Sequence, residues 1–108
     1  MNNQEKVTAK CPIRTTLDLI GGKWKLLIIY QLGSSSLRFS ELKLLIPDIT
    51  EKMLVQELKL LCDSNLILRT DFQEKPIRIE YQLTQNGQKV LPLIAHIKDF
   101  GIAYMQSI

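Results

Sequence analysis

The chain has 108 residues and a mass of 12.4 kDa, one domain's worth of polypeptide. With 45% apolar and 23% charged residues it has the composition of a folded globular protein, which excludes a disordered chain. Fourteen basic against eleven acidic residues leave +3, too little for a polycationic tail, and no apolar run is long enough to cross a bilayer.

Residues 1–10, MNNQEKVTAK, read as a flexible polar arm. They contain no apolar leader, so a cytoplasmic protein is expected. Residues 11–108 read as a single domain. Cys11-Pro12 opens a first helix, with Pro12 at a position where its missing N–H does no harm. Ile13, Leu17 and Ile20 recur at helical spacing and predict one buried face. Gly21-Gly22 ends that helix, because glycine accepts the left-handed turn of a helix stop. A second helix spans about Lys23 to Leu32. It is apolar nearly all round after Lys25, which predicts the central core helix. Trp24 reads as core in preference to a ligand-pocket wall.

Leu37-Arg38-Phe39 is long enough only for an edge strand. Ser40 is expected to cap a short helix from Glu41 to about Leu45, stopped by Pro47. Thr50 caps the next helix, Glu51 to about Asp63, with Asn65 at its C-terminal stop. There Leu54, Leu58, Leu61 and Cys62 share one face, and Lys52, Gln56, Lys59 and Asp63 the opposite one. The period then changes to two: Ile77, Ile79, Tyr81 and Leu83 alternate with polar residues. Leu66 to Phe72 is the partner strand, joined through Gln73-Glu74-Lys75-Pro76 as a hairpin. Thr84 caps a last helical region whose start Gly87 loosens and which Pro92 kinks or divides. From Val90 to Met105 it has more apolar surface than one small domain covers, which predicts a homodimer.

The fold class is therefore α+β and mostly helical: a winged helix-turn-helix with a C-terminal dimerisation helix. A helix entering the major groove needs an apolar back and a polar front. The Glu51–Asp63 segment has both, with Thr50, Glu51, Lys52, Gln56 and Lys59 at its start and along its front. Thr50, Lys52 and Gln56 are the candidates for base contacts. Arg38, Lys23 and Lys25 are placed to meet phosphate. In the hairpin, Arg69, Lys75 and Arg78 suit phosphate or the minor groove. The competing reading puts Lys75 on a turn and Arg78 on an exposed strand edge, and Asp71 and Glu74 weaken the wing as a contact. The partner expected is double-stranded operator DNA. The alternative is a winged-helix protein-interaction module without DNA binding, which the −1 net charge of residues 37–83 keeps open.

One histidine, His96, two cysteines and no Gly-rich phosphate loop leave most catalytic constellations unbuildable. No enzyme, cofactor or metal is expected. Cys11 lies at a helix N-terminus beside Lys10, and both favour a thiolate. Cys62 falls on a buried face and reads as a small core residue.

The motifs Cys11-Pro12-Ile13, then Ile20-Gly21-Gly22-Lys23-Trp24, Arg38-Phe39-Ser40-Glu41-Leu42, Ile49-Thr50-Glu51-Lys52-Met53-Leu54, and Glu80-Tyr81-Gln82-Leu83-Thr84 with Gly87, resemble the HxlR family of bacterial regulators. The match covers about residues 11–102. It implies a MarR-like winged-helix homodimer that binds operator DNA. It also implies an interface built from the first and last helices, placing Ile13, Leu17, Leu91, Ile94, Ile97, Phe100, Ile102 and Tyr104 there. Several members use the cysteine ahead of the first-helix proline as a redox or electrophile sensor, and Cys11 occupies that position. Other sensing members carry further cysteines, as in the C-terminal helix, where this chain has none. The operator, the genes regulated, the direction of regulation and the effector are not written in these motifs.

Overall fold

The computed structural model describes residues 4–108. In chain order it has α1 (Pro12–Ile20), α2 (Lys25–Leu32), α3 (Phe39–Leu45), α4 (Glu51–Asp63), β1 (Ile67–Asp71), β2 (Ile79–Leu83), α5 (Gln85–Gln88) and α6 (Leu91–Gln106). The class is α+β and mostly helical, a winged helix-turn-helix with a long C-terminal helix. Of the arm expected over residues 1–10, residues 1–3 lie outside the described residues. Residues 4–10 are exposed and carry neither helix nor strand.

The core forms around α2, whose Ile28, Ile29 and Leu32 are fully buried. Leu42 of α3, Ile46 and Ile49 of the following turn, Leu54, Leu58 and Leu61 of α4, Leu66, Ile67 and Leu83 of the hairpin and Ile94 of α6 close around it. Each such side chain contributes about 1.5–3 kcal/mol on leaving water. The stripe of α4 thus has a rigid apolar seat, and its polar front faces outward.

Local rules fix the ends of α4. The Thr50 hydroxyl accepts a hydrogen bond from the Met53 N–H at 3.1 Å, satisfying one donor that a helix start leaves orphaned. At the other end Asn65 takes φ +59°. Its N–H bonds the Cys62 carbonyl and the Leu66 N–H bonds the Leu61 carbonyl, the doubly bonded left-handed stop. From there β1 and β2 pair antiparallel, Ile67 opposite Leu83 through Asp71 opposite Ile79.

Several expectations need correction. The Leu37–Phe39 strand reduces to a single bridge between Leu37 and Tyr81. Phe39 already belongs to α3. The helix is capped at Arg38, two residues earlier than Ser40, because the Glu41 carboxylate accepts from the Arg38 N–H at 2.7 Å. Ile77 is not in the strand and is 76% exposed; the hairpin connection runs over residues 72–78. The left-handed stop expected of Gly21-Gly22 is supplied by Gly22, at φ +86°. Gly87 does not loosen α5. It is buried, and a Cβ there would strike the Leu66 carbonyl. Thr84 ties the same corner, accepting from the Gly87 N–H and donating to the Asn65 carbonyl. The last helical region is divided, as one of the two expectations for Pro92 has it: α5 ends at Gln88 and α6 begins at Leu91. Pro92 stands in the first turn of α6, where proline is tolerated.

The largest difference concerns α1. Of its predicted buried face only Ile20 is buried in the protomer, while Ile13 and Leu17 are 67% and 59% exposed. The helix is anchored at its last turn and the rest of its apolar stripe faces away from the core. The protomer is correspondingly open. Its radius of gyration is 16.1 Å, against about 13 Å for a compact chain of this length.

Candidate nucleic-acid interface

On α4 the stripe Leu54, Leu58, Leu61 is buried, and Lys52, Gln56 and Lys59 stand on the opposite side, fully in solvent. The helical period puts these three within one arc. Among the described residues no side-chain partner holds Lys52 or Gln56. Lys59 pairs with Asp63 at 3.0 Å, but both are well exposed, and such a pair is weak and easily exchanged. Glu51 sits in the first turn, where a carboxylate stabilises the helix dipole. Its neighbour Thr50 is committed to the cap. A capped helix start with a polar front on a packed back is an arrangement that accepts a duplex groove.

The cations expected around this helix divide into two groups. Arg38, at the start of α3, is exposed, as are Arg69 on β1 and Lys75 in the hairpin loop. Lys23 lies over the Trp24 ring at 4.6 Å, its ammonium still facing water. Lys25 and Arg78 have partners inside the protein. Lys25 Nζ stands 3.2 Å from Glu57 Oε2 on α4, with each side chain only 15% exposed. Arg78 lies over the Phe72 ring at 3.8 Å and between two carboxylates, Glu74 at 3.5 Å and Glu80 at 3.8 Å. Glu80 also accepts from the Ser36 hydroxyl at 2.8 Å. This cluster ties the hairpin loop to the end of β2 and leaves Lys75 as the outward cation of the loop.

Behind the reading elements lie two apolar recesses. One, of about 310 Å³, is lined by Leu26, Leu27, Tyr30, Ile94, Ile97 and Lys98. Lys98 Nζ donates to the Tyr30 hydroxyl at 3.0 Å, and the phenol beside it raises the lysine pKa above its ordinary value. The other recess is a groove between α1 and α6, where Pro12, Ile13 and Leu17 face Leu93 and Ile97. Of the residues expected at a two-fold interface, Ile13, Leu17, Ile97, Phe100, Ile102 and Tyr104 are exposed. Ile94 is a correction: it is buried in the protomer's own core, with Leu91 packed partly against that core. Both lie on the side of α6 that faces α2.

Cys11 and Cys62 are both free thiols of intermediate exposure. Cys11 is the N-cap residue of α1, its N–H bonded to the Thr8 carbonyl. Burial pushes the Cys62 thiol above its usual range, Asp63 adds to the rise, and Arg69 opposes it. Cys62 is therefore the less nucleophilic form at neutral pH. The Lys25–Glu57 and Ser36–Glu80 contacts carry no signal in sequence, since neither helical nor strand spacing relates the partners.

Known proteins share this frame. The family model for HxlR-like helix-turn-helix proteins matches residues 19–108. The HTH-type transcriptional regulator YdeP of Bacillus subtilis (strain 168) is 42% identical over 98 residues, covering 91% of this chain and 77% of the relative. A crystal structure of a MarR-family transcriptional regulator from Porphyromonas gingivalis W83 superposes with a TM-score of 0.88 at 45% identity, covering 92% of this chain and 97% of the other. The redox regulator HypR in its oxidised form superposes with a TM-score of 0.82 at 34% identity, over 86% of this chain and 96% of the other.

Proposed function

This chain belongs to the HxlR-like helix-turn-helix family and is a DNA-binding transcriptional regulator, and we propose that it reads operator DNA as a homodimer through the exposed front of α4. The observation that carries the reading is the pair Lys52 and Gln56, standing in solvent over a fully packed apolar back. Glutamine matches the adenine edge in bidentate fashion and lysine reaches guanine or phosphate. Thr50, Glu51 and Lys59 border that front, and Arg38, Lys23, Arg69 and Lys75 supply cations for the backbone on either side. Lys25 and Arg78, which have carboxylate partners, support the reading elements from behind.

The homodimer is supported by α1 and α6. Ile13, Leu17, Ile97, Phe100, Ile102 and Tyr104 are all exposed on these two helices, and exposed apolar side chains in such number mark an interaction surface. A two-fold partner covers each copy of it with the other. The two α4 helices then enter successive major grooves of a pseudo-palindromic site.

The test is enrichment of duplexes from a random-sequence pool by the wild-type protein. A pseudo-palindrome with half-sites about one helical turn apart is expected, with affinity that falls as salt rises. Gln56→Ala then loses about 1–3 kcal/mol of preference for that duplex without a change in urea midpoint. Failure to enrich any sequence at moderate salt would sink the reading.

A sensing role for Cys11 rests on two observations. The thiol begins α1, the helix that presents Ile13 and Leu17 to the proposed interface, and the redox regulator HypR shares the fold. An adduct at Cys11 would alter that interface and with it the spacing of the two reading helices. Treatment with diamide or a quinone is expected to change duplex affinity in the wild type and to leave Cys11→Ser unaffected. Equal responses in the two proteins would remove Cys11 from the mechanism.

A further inference from the structure

We propose that the Lys25–Glu57 ion pair sets the roll of α4 about its own axis, and so decides which side chains face the groove; the inference rests on α4 being the reading helix. Lys25 Nζ lies 3.2 Å from Glu57 Oε2, and both side chains are mostly buried. Of the ion pairs among the described residues, this one alone joins two helices. The others lie within α4 or within the hairpin.

The buried stripe of α4 sets which side of the helix faces the core, and the fine roll about that orientation is what the ion pair fixes. Besides the buried stripe, Met53 and Leu60 form a second, half-exposed apolar pair on one side. At 3.6 residues per turn, Glu57 falls on the flank between the two sets. Burial of apolar surface is non-directional, so a small roll that brought Met53 and Leu60 inward would recover part of the contact that Leu54, Leu58 and Leu61 gave up. It would, however, carry Glu57 into the core and away from Lys25. An unpaired carboxylate is strongly disfavoured there, so the pair acts as a stop. On the opposite flank a cavity of about 350 Å³ lies against Val55, Cys62, Arg69 and Tyr81. Packing on that side leaves room for rotation and does not resist it.

Lys25 has its own reason to be held. It is the first residue of α2, at the positive end of the helix dipole, where a cation is unfavourable unless a carboxylate faces it. Its next neighbours, Leu26 and Leu27, line the recess against α6. The pair thus links α4 to the helix that carries the apolar half of the protomer. Lys25 is a positioning residue in this scheme, and its ammonium does not touch phosphate.

The experiment compares wild type, Lys25→Met, Glu57→Gln, the double variant and Lys25→Arg. Each is titrated at several salt concentrations with the duplex that wild type enriches, and hydrogen exchange is followed at the α4 amides. Lys25→Met and Glu57→Gln are each expected to weaken binding about tenfold, with no further loss in the double variant. Exchange along α4 should quicken in both, the slope of log affinity against log salt should stay that of wild type, and Lys25→Arg should bind normally. A phosphate contact would instead give a slope reduced by about one in Lys25→Met and an ordinary Glu57→Gln, which overturns the proposal. Additive losses, or α4 exchange unchanged in both single variants, overturn it as well. If wild type enriches no duplex, it is the reading of α4 that fails, and the exchange measurement still passes or rejects the pair as the stop on its roll.

Discussion

The two halves of the protomer are built to different degrees of completion. In the half made of α3, α4 and the hairpin, Leu42, Leu54, Leu58, Leu61, Ile67 and Leu83 are buried. Caps at Thr50, Glu41 and Thr84 close the helix starts, and Asn65 closes the end of α4. It leaves outside the polar front of α4, together with scattered apolar side chains such as Leu44 and Ile77. The half made of α1 and α6 buries far less of itself. Only Ile20 and Ile94 are buried in those two helices, while Phe100 is 72% exposed and stacks only on Tyr104 of its own helix. The first half is complete within one chain and presents hydrogen-bonding groups. The second leaves apolar side chains in water, the surface that the proposed two-fold partner would cover.

The contrast breaks most visibly at the apolar half. Ile13→Asp combined with Phe100→Asp should abolish self-association, a loss of about 5 kcal/mol or more because two-fold symmetry repeats each change. The protomer core is untouched, so sedimentation should show a folded monomer. A dimer that persists would mean the open surface has another use. In the complete half, Leu58→Ala should cost about 3 kcal/mol of stability by urea unfolding, since it leaves a cavity beneath the reading face. The same truncation at Ile97 should cost much less in a monomeric background. Similar losses at both sites would erase the distinction between the halves. The smallest effect is at the cap: Thr50→Ala should cost about 1 kcal/mol, read as a lower melting temperature.

A chemical probe sharpens the same comparison. Cys62 lies half-buried on the flank of α4 beside Arg69 and Tyr81, and burial raises its pKa, so its thiol stays protonated to higher pH than a free cysteine. Alkylation by iodoacetamide at pH 8 should modify Cys62 slowly and rise steeply above that pH. Rapid modification in the native protein would indicate that the α4 flank opens.

Much of this was legible in the residues. The Glu51–Asp63 helix, its Thr50 cap and Asn65 stop, and the opposed stripes of leucine and polar residues all follow from contacts within one or two turns. The hairpin was legible from its period of two, although the strand lost Ile77, because alternation does not tell where pairing ends. Where the reading failed, competing local signals decided the outcome. Ser40 is a good cap residue, yet the carboxylate of Glu41 captured the Arg38 N–H and began the helix earlier. Gly87 suggested looseness, yet it marks a close approach to the Leu66 carbonyl.

By itself the sequence determined the main helices and the hairpin, the caps at Thr50 and Thr84, and that one helix has an apolar back and a polar front, because those features depend on neighbours a few residues away. The tertiary structure alone decided the rest. It turned the stripe of Ile13 and Leu17 outward, drew Ile94 into the protomer's core, and gave Lys25 to Glu57 and the Ser36 hydroxyl to Glu80. The physical reason is range: a burial partner or a counter-ion is set by how helices cross in space, and no periodicity along the chain encodes which distant residue will be there.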